Sequence, residues 1–238
     1  MTEKERFTPN ITEAERSPEA ILTTIIDAGR VLPPEYANLV AKQETRGMDF
    51  PPSTINYSII WSEVINAQEE NTVRDFLRRH LSGQVLIDLG GGSSAMSNLA
   101  SEFGCTTYVN ADRAPYDEKE KPNPLVPAGH WQVEDTMNVH VHADMLDFIS
   151  RVRENSVNCI INGIDVIIVD DSKYHESLAR EMIRATRKGG LIFGTTSYAL
   201  DQINSWIEKQ QLGLKTVRFG EKDGFRMDED TFIFEKME

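Results

Sequence analysis

Between Val85 and Asp112 the chain reads VLIDLGGGSSAMSNLASEFGCTTYVNAD, and this stretch restricts the fold more than any other. Val85-Leu86-Ile87 is a short apolar run rich in strand formers, the composition of a strand buried on both faces of a parallel sheet. It ends in Asp88-Leu89 and breaks at Gly90-Gly91-Gly92-Ser93-Ser94. Ala95, Met96, Leu99, Ala100 and Phe103 then recur at helical spacing, and Gly104 suits the position just past a helix end. A second apolar run, Thr106 to Ala111, ends on the acid Asp112. Strand, glycine turn, helix, strand and acid is the order of a nucleotide-binding βαβ unit.

The glycines have a physical task in such a unit. Gly90 and Gly92, without Cβ atoms, are expected to take positive φ and let the backbone approach a ligand closely. The N–H groups of the turn and of the next helix start then face the crevice. A carboxylate closing the second strand can accept from both hydroxyls of a ribose. Asp112 lies 22 positions after Gly90, against about 20 for such an acid.

Gly90-x-Gly92-x-x-Ala95 also satisfies the dinucleotide pattern G-x-G-x-x-G/A, so an NAD-dependent dehydrogenase has to be weighed. Asp88, two residues before the first glycine, tips the balance. A carboxylate there repels a pyrophosphate and favours a ligand carrying an ammonium or sulfonium group. On Ile87-Asp88-Leu89-Gly90-Gly91-Gly92-Ser93-Ser94 the sequence resembles the class I S-adenosylmethionine-dependent methyltransferases, whose first motif is apolar-apolar-acid-apolar-G-x-G-x-G. The third glycine of that motif is Ser94 here. The resemblance implies a Rossmann-like three-layer α/β sandwich. Its sheet has seven strands, mostly parallel, with an antiparallel C-terminal strand, and here a helical N-terminal cap precedes it.

Composition narrows the partners. Among 238 residues, 25 are basic and 38 acidic, for a net charge of −13, which disfavours a nucleic-acid backbone or an anionic membrane as partner. Cys105 and Cys159 lie in apolar runs without metal-ligand spacing, as buried thiols of a reducing compartment do. The charged start MTEKERFTPN lacks a signal-peptide core and no run reaches membrane-span length, so a cytoplasmic location is expected.

Residues 1–53 are expected to form a helical extension or cap, and 54–238 the methyltransferase-like domain. Ser17-Pro18 is a helix start, followed by the stripe Ile21, Leu22, Ile25 and Ile26 and a stop near Gly29. Pro33-Pro34 opens a second helix through Glu35 to Lys42. A longer helix is expected from about Thr54 to His80, broken near Asn71. Segments before the first strand often cover the cofactor in the resembling family, which makes Tyr57 and Trp61, four apart, substrate-pocket candidates; packing of that helix on the sheet is the favoured reading of both. Residues 113–137 carry Pro115, Pro122, Pro124 and Pro127 and read as a long inserted loop at the ligand end.

A third strand, Asn138 to His142, leads to Asp144 and Met145. The resemblance gives Asp144 the adenine amino group and Met145 the ring face; capping of the following helix is the structural role open to Asp144. Arg113, beside Asp112, joins the cofactor-binding candidates, as do Asn162 and Gly163 after the fourth strand, Val157 to Ile161. Asp165 is a further substrate-pocket candidate. A helix starting at Asp170, Asp171 or Ser172 and ending at Arg187-Lys188-Gly189-Gly190, a strand Leu191 to Gly194, a helix Leu200 to Gln211, and strands Lys215 to Phe219 and Thr231 to Glu235 as a reversed pair complete the pattern.

His140-x-His142 shares a strand face, but no third ligand stands at a diagnostic interval, so no metal is expected. Some members of the resembling family use a divalent cation with acids after the fourth strand, and that resemblance alone keeps Asp165, Asp170 and Asp171 in view. Tyr174 and His175 are the candidates for substrate contact and proton acceptance. The expected activity is methyl transfer from S-adenosylmethionine, leaving S-adenosylhomocysteine, to an oxygen or nitrogen of a small molecule by in-line displacement. Expected partners are the small-molecule acceptor and, optionally, a second copy in a homodimer, with neither nucleic acid nor membrane. The rivals are the dehydrogenase and a non-catalytic, partner-binding relative of the methyltransferases.

Overall fold

Strand-forming sequence in this chain comes in short apolar blocks, and one sheet collects them. The structure is a computed structural model that describes residues 17–46, 72–92, 96–113, 122–162, 172–195, 213–217 and 231–237. Among these, the strands are β1 (Val85–Leu89), β2 (Thr107–Asp112), β3 (Gly129–Val133), β4 (Thr136–His142), β5 (Asn158–Ile161), β6 (Leu191–Thr195), β7 (Leu214–Thr216) and β8 (Thr231–Lys236). The helices are α1 (Pro18–Ile25), α2 (Pro34–Arg46), α3 (Thr72–Leu81), α4 (Ser97–Glu102), α5 (Met145–Arg151) and α6 (Ser172–Ala185). The spatial order of the strands is β3-β4-β2-β1-β5-β6-β8-β7. β4, β2, β1, β5 and β6 pair in parallel, while β3 and β8 run against their neighbours.

Alternation along the strands sorts the core into two layers. Ile87, Val109, Val141 and Cys159 point to the face covered by α1, α2, α5 and α6. Leu86, Tyr108, Ile160 and Phe193 point to the face covered by α3 and α4. In α3 the spacing of Val73, Leu77 and Leu81 puts all three on one stripe, fully buried, and leaves Arg78 and Arg79 in water. The result is the expected three-layer α/β sandwich.

Topology then fixes where a ligand can sit. From β1 the chain crosses through α4 to β2 on one side, and from β5 through α6 to β6 on the other. Open sheets bind ligands at the carboxyl ends of strands where crossovers diverge in this way. Register brings those ends level: Leu89 lies opposite both Ala111 and Ile161, and Ala111 lies opposite Val141. Gly90, Asp112, Asp144 and Asn162 therefore gather at one edge of the sheet.

The N-terminal helices dock on α5 and α6. Ser17 caps α1 through the Ala20 N–H at 3.1 Å. Ile26 and Val152 form an antiparallel bridge, with Asp27 N donating to Arg151 O at 2.9 Å and Arg153 N to Ile25 O at 2.8 Å. Buried Glu181 of α6 accepts from Tyr36 of α2 at 3.3 Å and pairs with Arg30 at 3.4 Å and Arg184 at 2.5 Å.

Two expectations need correction. The sheet has eight strands rather than seven, and residues 113–137 are not loop throughout. β3 lies inside that stretch and pairs with β4 as a hairpin closed by Glu134-Asp135, Glu134 taking φ 50°. Ser101 of α4 steadies the turn by donating to Val133 O at 3.3 Å and Glu134 Oε2 at 3.0 Å. β4 starts at Thr136, two residues earlier than expected, because it pairs along this added edge strand. The helix expected over Leu200 to Gln211 and residues 54–71 of the long helix lie outside the described residues.

Candidate functional site

The turn after β1 has the geometry its glycines permit. Gly90 has φ +77° and Gly92 φ +51°, both left-handed, and an added Cβ at Gly90 would meet Met145 Sδ at 3.0 Å. Met145, expected at the ligand, thus packs directly on the turn. Gly91 is required for a different reason. A Cβ there would stand 2.6 Å from both Cγ and Oδ2 of Asp88 and 2.8 Å from Asn110 Oδ1. The turn therefore rests on the Asp88 side chain.

Asp88 is fully buried, and its Oδ2 accepts from the Tyr108 hydroxyl at 2.6 Å. Its Oδ1 has no hydrogen-bond donor among the described residues. Burial lifts the Asp88 carboxyl from the usual carboxylate range to about 7, with the Tyr108 hydrogen bond pulling it down and the Asp112 charge pushing it up. Two more side chains of β2 tie the turn down. Asn110 donates to Gly92 O at 3.0 Å, and Asp112 Oδ2 accepts the Gly92 N–H at 2.6 Å. Tyr108, Asn110 and Asp112 alternate on one strand face; that spacing was visible in the sequence, but no motif singles out the first two.

At the end of β4, Asp144 has the capping role left open for it. Its Oδ1 accepts from Leu146 N at 2.9 Å and Asp147 N at 3.2 Å, and the Tyr174 hydroxyl donates to the same oxygen at 3.0 Å. Its Oδ2 faces Arg113 at 3.8 Å. Burial raises this carboxyl to about 6 against the pull of Arg113, the two backbone N–H groups and Tyr174.

Tyr174, expected to contact substrate and accept a proton, is fully buried and spends its hydroxyl on Asp144. Burial and the Asp144 charge hold the phenol well above its ordinary range, so it acts as a donor that fixes Asp144. His175 is also buried, its ring edge-on to Tyr174 at 6.3 Å. Asn162 is buried at the end of β5. Ser93, Ser94, Tyr57, Trp61, Gly163, Asp165, Asp170 and Asp171 lie outside the described residues.

Among the described residues no group of three or more His, Cys, Asp or Glu side chains is placed to hold a metal. His140 is pushed down to about 4 by burial and by neighbouring His142. Both cysteines are free and buried, and burial pushes each thiol up to about 12. No described helix is long and apolar enough to cross a membrane.

No family model and no curated protein matches the chain. Solved structures with a similar chain path exist. The N-methyltransferase NodS from Bradyrhizobium japonicum WM9 is 12% identical at a TM-score of 0.48, over 77% of this chain and 100% of that one. An rRNA methylase from Streptococcus thermophilus is 11% identical at 0.44, over 72% and 98%. SMU.1697c from Streptococcus mutans, in complex with SAH, is 11% identical at 0.46, over 71% and 98%. The described residues of this chain form a mostly parallel sheet between two layers of helices on the evidence of their own strand order and core.

Proposed function

We propose that the chain binds S-adenosylmethionine at the carboxyl ends of β1, β2, β4 and β5 and transfers its methyl group to a small-molecule acceptor. One observation carries this reading: two carboxylates, Asp88 of β1 and Asp112 of β2, contact the positive-φ glycine turn, and a third, Asp144, caps α5 just past β4 beside Met145, which packs on Gly90. Negative charge beneath and beside the turn opposes the pyrophosphate of a dinucleotide and favours a cationic ligand. The residues fit the cofactor. The Asp88 carboxyl lies directly against the turn through Cγ and Oδ2, and its other oxygen, Oδ1, is buried without a donor among the described residues. Asp112 stands where a ribose diol would be held, Asp144 Oδ2 where an adenine amino group would donate, and Met145 against the ring.

When bound, the cofactor supplies an electrophilic methyl group on a sulfonium. The chain's part is to orient it and to exclude water. Asp144 keeps its direction because one oxygen is fixed by two backbone N–H groups and Tyr174. Asp112 is fixed by Gly92, so the acid and the turn move as one unit. The net charge of −13 supports a small acceptor over a nucleic acid.

A second reading, a non-catalytic partner-binding subunit, gains from the burial of Tyr174 and His175, which removes both expected proton acceptors from the surface of the site. Calorimetric titration with S-adenosylmethionine, S-adenosylhomocysteine and NADH tests the proposal. Micromolar binding of the first two, about −8 kcal/mol, supports it, and binding of NADH alone rejects it. Tight binding without methyl turnover across a panel of hydroxyl and amine acceptors selects the second reading.

A further inference from the structure

The side chain of Tyr108 has no role in the motif that the sequence resembles, yet its hydroxyl donates to the acid that supports the turn. Its ring sits in the apolar layer beneath α3 and α4, beside Leu86 and Phe103. A phenylalanine would fill that space equally well, and a hydroxyl in an apolar layer costs free energy unless it is used. Here it reaches Asp88 Oδ2 at 2.6 Å, the length of a charge-assisted O–H···O⁻ bond. The bond occupies one carboxylate oxygen, while the other has no donor among the described residues. Gly91 lies over the carboxylate, so its charge is set directly below the backbone that a ligand would contact.

We propose that Tyr108 is a positioning residue that holds Asp88 charged and in place beneath the Gly90–Gly92 turn, so that ligand cations are bound in competition with a proton on Asp88. This rests on the cofactor reading above. The electrostatic surroundings define the pair. Asp112 is the other titratable group acting on Asp88 from β2, Asn110 is the neutral polar neighbour, and β5 sets apolar Ile160 opposite it in register. Tyr108 itself is held well above its ordinary range by burial and by Asp88, so it stays a donor while the carboxyl titrates. Asp88 changes charge near pH 7, and loss of the phenol would move that change upward, because the hydrogen bond favours the carboxylate.

The test uses the full-length chain and Tyr108→Phe, with Asp88→Asn as control. Carbon-13 NMR of Asp-labelled protein reads the Asp88 titration without ligand, and calorimetry with S-adenosylmethionine between pH 5.5 and 8.5 (roughly 1.5 units either side of the Asp88 midpoint) reads the linkage. The expected results are a wild-type NMR midpoint near 7, affinity that rises with pH through the same midpoint, and both shifted up by about one unit in Tyr108→Phe. Binding at pH 7 should then weaken about fivefold, because the ionised fraction of Asp88 falls from about one half to about one eleventh, while Asp88→Asn should give a flat profile. Weaker binding in Tyr108→Phe at every pH with an unmoved midpoint would show a packing role only and overturn the inference. A shifted NMR midpoint with no S-adenosylmethionine binding in wild type would reject the cofactor reading and the ligand part of this inference with it. An unshifted NMR midpoint with intact, pH-linked binding would reject Tyr108 alone.

Discussion

Gly91→Ala is the substitution that most sharply tests the packing of the site. The added Cβ would sit 2.6 Å from Asp88 Cγ and Oδ2 and 2.8 Å from Asn110 Oδ1, where ordinary contact needs 3.4 Å or more. Neither side chain can simply step back. Asp88 is fully buried and bonded to Tyr108, and Asn110 is bonded to Gly92 O. Relief requires breaking the Asp88–Tyr108 bond, worth about 1.5–3 kcal/mol for a charged group, or straining the turn by a similar amount. The expected loss is therefore about 2–3 kcal/mol, read by urea denaturation as a midpoint lower by about 1 M. Gly92→Ala is the matched control, since nothing among the described residues lies within 4 Å of its Cβ and it bears only the strain of φ +51°, about 1 kcal/mol. Gly91→Ala no less stable than Gly92→Ala would refute the account of a turn resting on Asp88.

Lys236→Met should lower the melting temperature by about 4–8 °C in a thermal scan, because Nζ donates to the carbonyls of Ile183 at 2.7 Å and Thr186 at 2.9 Å and to Asn155 Oδ1 at 2.8 Å, leaving several acceptors bare. A drop under 2 °C, roughly 0.5–1 kcal/mol, would mean that water replaces the ammonium there. Glu181→Gln should loosen α1 and α2 from α6, seen as faster amide exchange over Pro18–Arg46 with α3 unaffected, since it removes the charge that Arg30 and Arg184 share. Uniform exchange across both regions would contradict that local role. The pH dependence has a defined sign. Asp88 at about 7 and Asp144 at about 6 both exceed the unfolded value, so their stabilising protonated forms are complete below about pH 4, and stability falls as pH rises through 6 to 7. Asp88→Asn should gain on wild type across that window in urea midpoints, and a constant difference from pH 4 to 8 would disprove it.

The core of the sheet was legible because its signals are local. Val85–Leu89 and Thr107–Asp112 are apolar runs around a glycine break, and Gly90 and Gly92 need φ values that other residues resist. The reversed pair β7 and β8 likewise followed from two short runs around a polar turn. β3 was hidden for a physical reason: prolines crowd its approach, and Glu134-Asp135 closes the hairpin without the glycine or asparagine that marks such turns. Tyr108 and Asn110 show the limit of motifs, since their contacts with Asp88 and Gly92 arise from β1 and β2 register and leave no sequence pattern of their own. Tyr174 shows the limit of residue chemistry. A tyrosine after a strand-end loop suits a substrate contact, but the stripe it shares with Leu178 and Met182 turns it into the core and onto Asp144. The amphipathic stripes of α1 and α2 announced helices without naming α5 and α6 as what they cover.

The measurement that tests the central claim most directly is a crystal structure of the full chain grown with S-adenosylhomocysteine. The account predicts ligand density over Gly90–Gly92, with the ribose hydroxyls on Asp112 and the adenine amino group on Asp144 Oδ2. Ligand bound elsewhere, or bound here with Asp112 and Asp144 out of contact, would contradict it.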